Sequence, residues 1–157
     1  MVHPKVEERL RQCGVKYHIR EHCTFGAPIK SPSDFARVQG YSIERITKSL
    51  LLHGQLNREF VLAVCSANKK LDFVGIAKLL NCGRLRLATA EELLSKTGYP
   101  TTGVSPIGVD CIKVIVDEGV LAYETILVGS GVVGVEVEIV PNELVTCLKA
   151  MVNRIVL

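Results

Sequence analysis

Apolar positions along the chain switch repeatedly between helical and strand spacing. Val6, Leu10 and Cys13 share one helical face after Pro4, and Gly14 is a natural stop, so a first helix is predicted from Pro4 to Gly14. Val15, Tyr17 and Ile19 then alternate with polar residues as in a strand. Glu21 to Pro32 mixes His, Gly and Pro and reads as a loop; Pro32 opens a helix through Phe35 and Val38 that Gly40 ends. Thr47 to Leu52 and Phe60 to Cys65 are apolar strands joined by the polar stretch His53 to Glu59. Asp72 caps a helix carrying Phe73, Ile76, Ala77 and Leu80. Arg84 to Leu87 is a short strand, and Thr89-Ala90-Glu91-Glu92 is a capping box for a helix ending near Gly98.

Tyr99 to Gly108, rich in Pro, Gly and Thr, reads as a loop. Strands follow at Cys111 to Val116, Thr125 to Val128 and Val135 to Ile139. Pro141 starts a last helix whose buried stripe is Leu144, Cys147, Leu148 and Met151. The links at 53–59 and 129–134 are too short for helical crossovers, so those strand pairs are antiparallel. The pattern predicts one α+β domain spanning residues 1–157, with a mixed, largely antiparallel sheet.

Composition narrows the class. The 157 residues are 48% hydrophobic and 22% charged, which excludes a disordered or fibrous chain. No apolar run approaches the ~20 residues of a membrane helix, and the first residues lack the apolar core of a secretory signal, so a soluble, cytoplasmic protein is expected. A net charge of +3 permits a polyanionic partner without demanding one. With aromatics at 5% and no Trp, a base-stacking platform for single strands is poorly supported. The six cysteines contain no C-x-x-C, so free thiols are expected, with Cys13, Cys65 and Cys147 acting as small hydrophobes on apolar faces.

Two pattern matches fail on context. Gly129-Ser130-Gly131-Val132-Val133-Gly134 spells G-x-G-x-x-G, but a dinucleotide site needs a helix next, and Val135 to Ile139 alternates like a strand; a hairpin turn is expected instead. His18-Ile19-Arg20-Glu21-His22 spells an inverted zinc-protease pattern. A strand there would hold the two histidines about 13 Å apart, too far for one zinc, and no metal is expected.

Three segments remain chemically odd. Lys48 stands inside the apolar run Ile46 to Leu52, where a lysine is either an edge residue or a cation held over a pocket for an anionic group. Thr97 to Gly108 can present backbone amides to a developing oxyanion. The third is the 129–134 turn leading into Glu136 and Glu138.

In this order the three segments resemble the YbaK/ProX-type aminoacyl-tRNA deacylases, whose domain is also inserted in bacterial-type prolyl-tRNA synthetases. The likeness spans roughly residues 4 to 150. It runs from the first helix and strand into Arg20-Glu21-His22, through the Lys48 strand and the Asp72 helix. It then takes in T-G-Y…G-V-S-P-I-G and closes on Val128-Gly129-Ser130-Gly131…Gly134 to Glu138. The resemblance implies a sheet curved into a barrel-like core with helices outside, and hydrolysis of mischarged tRNA without metal or organic cofactor. The substrate it implies is tRNA(Pro) carrying Cys, Ala or another small amino acid. The family's strand lysine falls on Lys48. Its Gly-x-x-x-Pro loop falls on Thr102 to Pro106, with Thr102 where many members have Gly and Gly103 available for the backbone role. Some members that remove alanine carry a His at the last turn, where this chain has Gly129, Ser130 and Gly131.

On this basis Lys48, Gly103 and Ser105 are the expected catalytic set. Tyr17, His22, Thr47, Ser49, Thr102, Pro106, Gly129, Ser130 and Gly131 are the expected substrate contacts. Lys48 would fix the terminal phosphate or the ester region, and Arg45, Lys69, Lys70, Arg84 and Arg86 would form a modest patch for the acceptor end of tRNA. The partners implied are mischarged tRNA and an aminoacyl-tRNA synthetase, with no membrane; whether the protein works as a monomer or a homodimer is open. The alternative reading is a non-catalytic tRNA- or synthetase-binding module of the same fold.

Overall fold

A computed structural model describes all residues 1–157. Helix α1 (Pro4–Cys13) ends on Gly14, which takes the left-handed conformation (φ 65°) that glycine adopts at least cost. Strand β1 (Tyr17–Glu21) and helix α2 (Pro32–Gln39) follow, the latter capped by the Ser31 hydroxyl accepting the Asp34 amide. Next come β2 (Thr47–Gly54), β3 (Phe60–Ser66), α3 (Phe73–Leu80), β4 (Leu85–Leu87) and α4 (Ala90–Thr97). Asp72 caps α3 through the Gly75 amide, and Thr89 and Glu92 close the expected capping box on α4. The chain finishes with β5 (Lys113–Asp117), β6 (Ile126–Gly129), β7 (Val135–Ile139), α5 (Pro141–Leu148) and β8 (Met151–Asn153).

The strands form two sheets, one ordered β1-β7-β6 and wholly antiparallel, the other ordered β4-β2-β3-β5-β8. In the second sheet β5 runs parallel to both β3 and β8, and the remaining pairs are antiparallel. The 53–59 and 129–134 links are antiparallel turns as expected, and the glycine-rich 129–134 segment leads into β7 with no helix. The barrel is open: the sheets meet through a single bridge between Ile46 and Leu127, reinforced by the Thr47 hydroxyl donating to the Leu127 carbonyl. The main core draws Leu51, Leu62 and Val64 from one sheet and Val128, Val137 and Ile139 from the other, under α1, α4 and α5. A second core under α3 includes Leu52, Cys65 and Ile76; a third, under α2, joins Phe35, Ile46 and Leu127. No helix is long and apolar enough to cross a membrane.

Two expectations are corrected. Cys13 and Cys147 are not free thiols but form a disulfide: α1 and α5 pack together and bring the two Cα atoms to 5.6 Å, within bridging range. Met151 does not continue the α5 stripe. Lys149 turns left-handed (φ 52°) and ends the helix, and Met151 pairs with Ile115 in the parallel ladder.

Candidate functional site

The site grows from a gap beside β2. One edge of β2 is held by β3 along most of its length, while on the other β4 reaches only Leu52 to Gly54 and β6 is tied in only by the bridge at Ile46, just before β2, and the Thr47 hydroxyl. The Ile46 carbonyl accepts the Ala67 amide on the β3 side, and the Leu51 carbonyl accepts the Ala88 amide on the opposite side. Main-chain groups alternate along a strand, so Ser49 directs its amide and carbonyl away from β3 into the unfilled stretch of edge. The Ser49 hydroxyl is buried there without a hydrogen-bond partner.

This bare edge opens on a cleft of about 740 Å³, within the ~300–1,000 Å³ usual for small-molecule sites. Both faces of β2 contribute to it, because Thr47 to Leu50 are uncovered at the edge: Thr47 and Ser49 alternate with Lys48 and Leu50. The Lys48 ammonium donates to the Lys69 carbonyl and has no carboxylate within ion-pair distance. That single bond is exposed, so releasing it for a ligand costs about 1 kcal/mol.

Across the cleft stands the loop Thr101 to Val104, seated against Gly129 at the end of β6. The Gly103 amide is taken, donating to the Pro100 carbonyl at 3.0 Å; the amides of Thr102 and Val104 donate to nothing else in the chain. The third wall comes from the segment after β1 and from α2. The His22 ring stacks on Phe25 and tilts against Phe35, with centroids 6.0 and 5.5 Å apart. Its Nε2 is buried without a hydrogen bond, 3.6 Å from the Glu136 carboxylate.

What holds this wall in place is Glu138. Buried on β7, it accepts from the Tyr41 and Thr125 hydroxyls and from Arg20, with Arg45 at 3.4 Å. Burial alone would raise its pKa, but these donors outweigh burial and hold it below the ordinary 4.5. Glu138→Ala would strand two guanidinium groups and a phenol. Breaking a fully buried pair costs ~3–5 kcal/mol, and the partial exposure of both arginines reduces this to about 2–3 kcal/mol. Urea unfolding should show that loss at pH 7. A depressed carboxylate stabilises the fold above its unfolded pKa, and the contribution disappears as pH falls through the folded value. The wild-type advantage over Glu138→Ala should therefore shrink on acidification below about 4.5.

Of the residues expected in the site, Lys48, Thr47, Ser49, His22, Thr102, Gly103 and Gly129 line the cleft. Five others do not. Tyr17 lies opposite Ile139 and packs on the main core. Ser105 is wholly buried and its hydroxyl accepts the Ile107 amide, while Pro106 is buried beside it. Ser130 is wholly buried with its hydroxyl accepting the Val132 amide, and Gly131 abuts His3 and Tyr99. The basic patch is also revised: Arg45 is engaged with Glu138, Arg86 makes a two-pronged pair with Glu92, and Lys69 and Lys70 remain exposed. Arg84 lines a separate groove with Lys78. Sequence reasoning missed Phe35 and Glu136 as lining residues of the cleft. No three His, Cys, Asp or Glu side chains converge in a way that could hold a metal ion.

The sequence profile of the aminoacyl-tRNA editing domain family matches residues 26–147. Among individual relatives, the proline–tRNA ligase of Thermosipho melanesiensis is 27% identical over 101 residues, which is 64% of this chain and 18% of the ligase. The proline–tRNA ligase of Thermotoga maritima is 30% identical over 101 residues, 64% of this chain and 17% of that protein. The chain thus spans less than a fifth of the length of these relatives. A crystal structure of a proposed trans-editing enzyme for prolyl-tRNA synthetase superposes with a TM-score of 0.85 at 26% identity, covering 100% of this chain and 99% of the other. The crystal structure of the hypothetical protein APE2540 gives 0.86 at 27% identity, covering 98% and 99%.

Proposed function

The chain belongs to the aminoacyl-tRNA editing domain family, and on that premise we propose that it is a deacylase acting in trans on tRNA carrying a wrong amino acid. The observation that carries this reading is the cleft wall itself: the Lys48–Ser49 edge of β2 lines the same cleft as Thr102 and Val104, whose amides are unengaged. An aminoacyl ester is already activated, so positioning and oxyanion stabilisation supply most of the needed catalysis. Water adds to the ester carbonyl, and the two loop amides take the charge that develops on its oxygen. The bond to the ribose oxygen then breaks, and that oxygen leaves with a proton from the attacking water. Lys48 would hold the ester region or the terminal phosphate as a compact point charge.

The likeness to proline–tRNA ligases supports tRNA(Pro) as the nucleic acid, and a synthetase that discharges wrong products as the partner. A synthetase pocket rejects a substrate smaller by one methylene by only ~1–3 kcal/mol, so Cys, Ala or a similarly small amino acid on that tRNA is the cargo needing a second sieve. The test is to incubate the protein with Cys-, Ala- and Ser-charged tRNA(Pro) and follow loss of the ester. At least one species should clear faster than in buffer and faster than Pro-tRNA(Pro). One observation favours a non-catalytic binding module: the Gly103 amide, the expected stand-in for the family's loop glycine at Thr102, is already bonded to Pro100. Tight binding of charged tRNA with no turnover would select that second reading.

A further inference from the structure

Glu136 and Glu138 lie two residues apart on β7 and so face the same side of the sheet, yet their surroundings differ sharply. Glu138 is surrounded by donors, as described. Glu136 has no Lys or Arg nitrogen within 4.0 Å, and its one basic neighbour is His22. Arg20 stands directly opposite Glu136 in the β1–β7 ladder but sends its guanidinium to Glu138. The Glu136 side chain is 24% exposed, in the cleft wall, and pairs across the β6–β7 ladder with Gly129, on which the amide-bearing loop sits. A partly desolvated carboxylate without a matched cation is costly unless a ligand supplies one.

We propose that Glu136 is the receptor for the α-ammonium group of the substrate, with His22 as its positioning residue. The inference rests on the deacylase reading and deepens it. An aminoacyl ester carries one cation, on the carbon next to the carbonyl under attack. A carboxylate on the strand paired with Gly129 is placed to hold that cation while the Thr102 and Val104 amides meet the carbonyl oxygen. The site would then separate free aminoacyl esters from N-blocked ones, such as peptidyl or formylated forms, which lack the charge. His22, stacked on Phe25 and tilted against Phe35, stands 3.6 Å from the carboxylate and limits where it can move.

The probes are two non-hydrolysable compounds: 3′-alanylamino-3′-deoxyadenosine and its N-acetyl derivative, with binding followed by calorimetry. Wild type should bind the free amine at least tenfold tighter than the acetylated form. Glu136→Gln should weaken the free amine about 10- to 100-fold, as loss of a charge-assisted bond does, and leave the acetylated form within twofold. His22→Gln should reduce the ratio without moving the acetylated affinity. Equal weakening of both probes, or a wild type indifferent to acetylation, overturns the proposal; the second measurement holds even if Glu136→Gln does not fold. If wild type prefers the free amine through Glu136 but clears no charged tRNA, the ammonium site stands and the deacylase reading fails. If charged tRNA is cleared without that preference, only the ammonium site fails.

Discussion

Replacing Lys48 with alanine is expected to lower kcat/KM for deacylation about 10²- to 10³-fold while the melting temperature moves by no more than a few degrees. The two parts of this expectation have separate grounds. The ammonium makes one exposed hydrogen bond, to the Lys69 carbonyl, and no ion pair, so its loss costs the fold about 1 kcal/mol or less. The aliphatic stem lies on the β2 edge opposite Cys65, over a core whose other members are untouched by the truncation. Activity is different. Lys48 is the charge on β2 at the cleft, and removing one preorganised electrostatic contact to a reacting group costs ~3–4 kcal/mol of barrier. Single-turnover deacylation beside a thermal melt separates the two. A variant within threefold of wild type would remove Lys48 from the mechanism. Lys48→Arg should recover only part of the rate, because the planar guanidinium cannot reproduce a compact point charge.

Lys48 and the 97–108 loop could be found in the sequence because each violates its local pattern: a cation in an apolar run, and a Pro/Gly-rich stretch between regular elements. The helices were equally legible, since their caps are local chemistry; Ser31, Asp72 and Thr89 each satisfy an amide three residues on. What stayed hidden depends on contacts between distant segments. Nothing in the spacing of Cys13 and Cys147, 134 residues apart, shows that α1 and α5 lie side by side. The strand β8 was hidden because Met151 falls three residues after Leu148, a spacing that also fits a helix; the reversal at Lys149 decides the matter. His22 was legible as a candidate, but its neighbours were not. Glu136 reaches it through the β1–β7 ladder, closed by the His22 amide on the Gly134 carbonyl, and Phe35 through the docking of α2. Ser105 and Ser130 enter the expected set through the family resemblance, which falls on the two glycine-rich loops that carry them. Both hydroxyls instead satisfy backbone amides two residues on, which is what lets such loops be buried.

Gly129→Ala should disable the site as thoroughly as loss of the lysine, by a different route. A Cβ at residue 129 would stand 1.8 Å from the Val104 carbonyl oxygen and 2.8 Å from its carbon. Both obstacles are backbone, so no rotamer change relieves them, and the loop must retreat by about 1.5 Å to reach an ordinary contact. The loop packs closely on the 129–134 turn at a second point as well, where a Cβ at Gly103 would come within 3.1 Å of the Val132 backbone and 3.2 Å of the Val133 backbone. Overpacking of this kind costs ~1–3 kcal/mol of stability. The cost to catalysis is larger in proportion, since a misplacement near 1 Å of an oxyanion donor is worth ~10²-fold. The Thr102 and Val104 amides ride on the displaced segment. Deacylation should therefore fall at least 10²-fold with KM little changed, against a modest drop in melting temperature. Gly26→Ala is the matched control, because a Cβ there meets nothing within 4 Å and its φ is not in the left-handed region. It should leave both rate and stability unchanged. If Gly129→Ala instead kept full activity, the contact between β6 and the loop would have no part in aligning the amides. The oxyanion role would then have to leave the Thr102–Val104 backbone altogether.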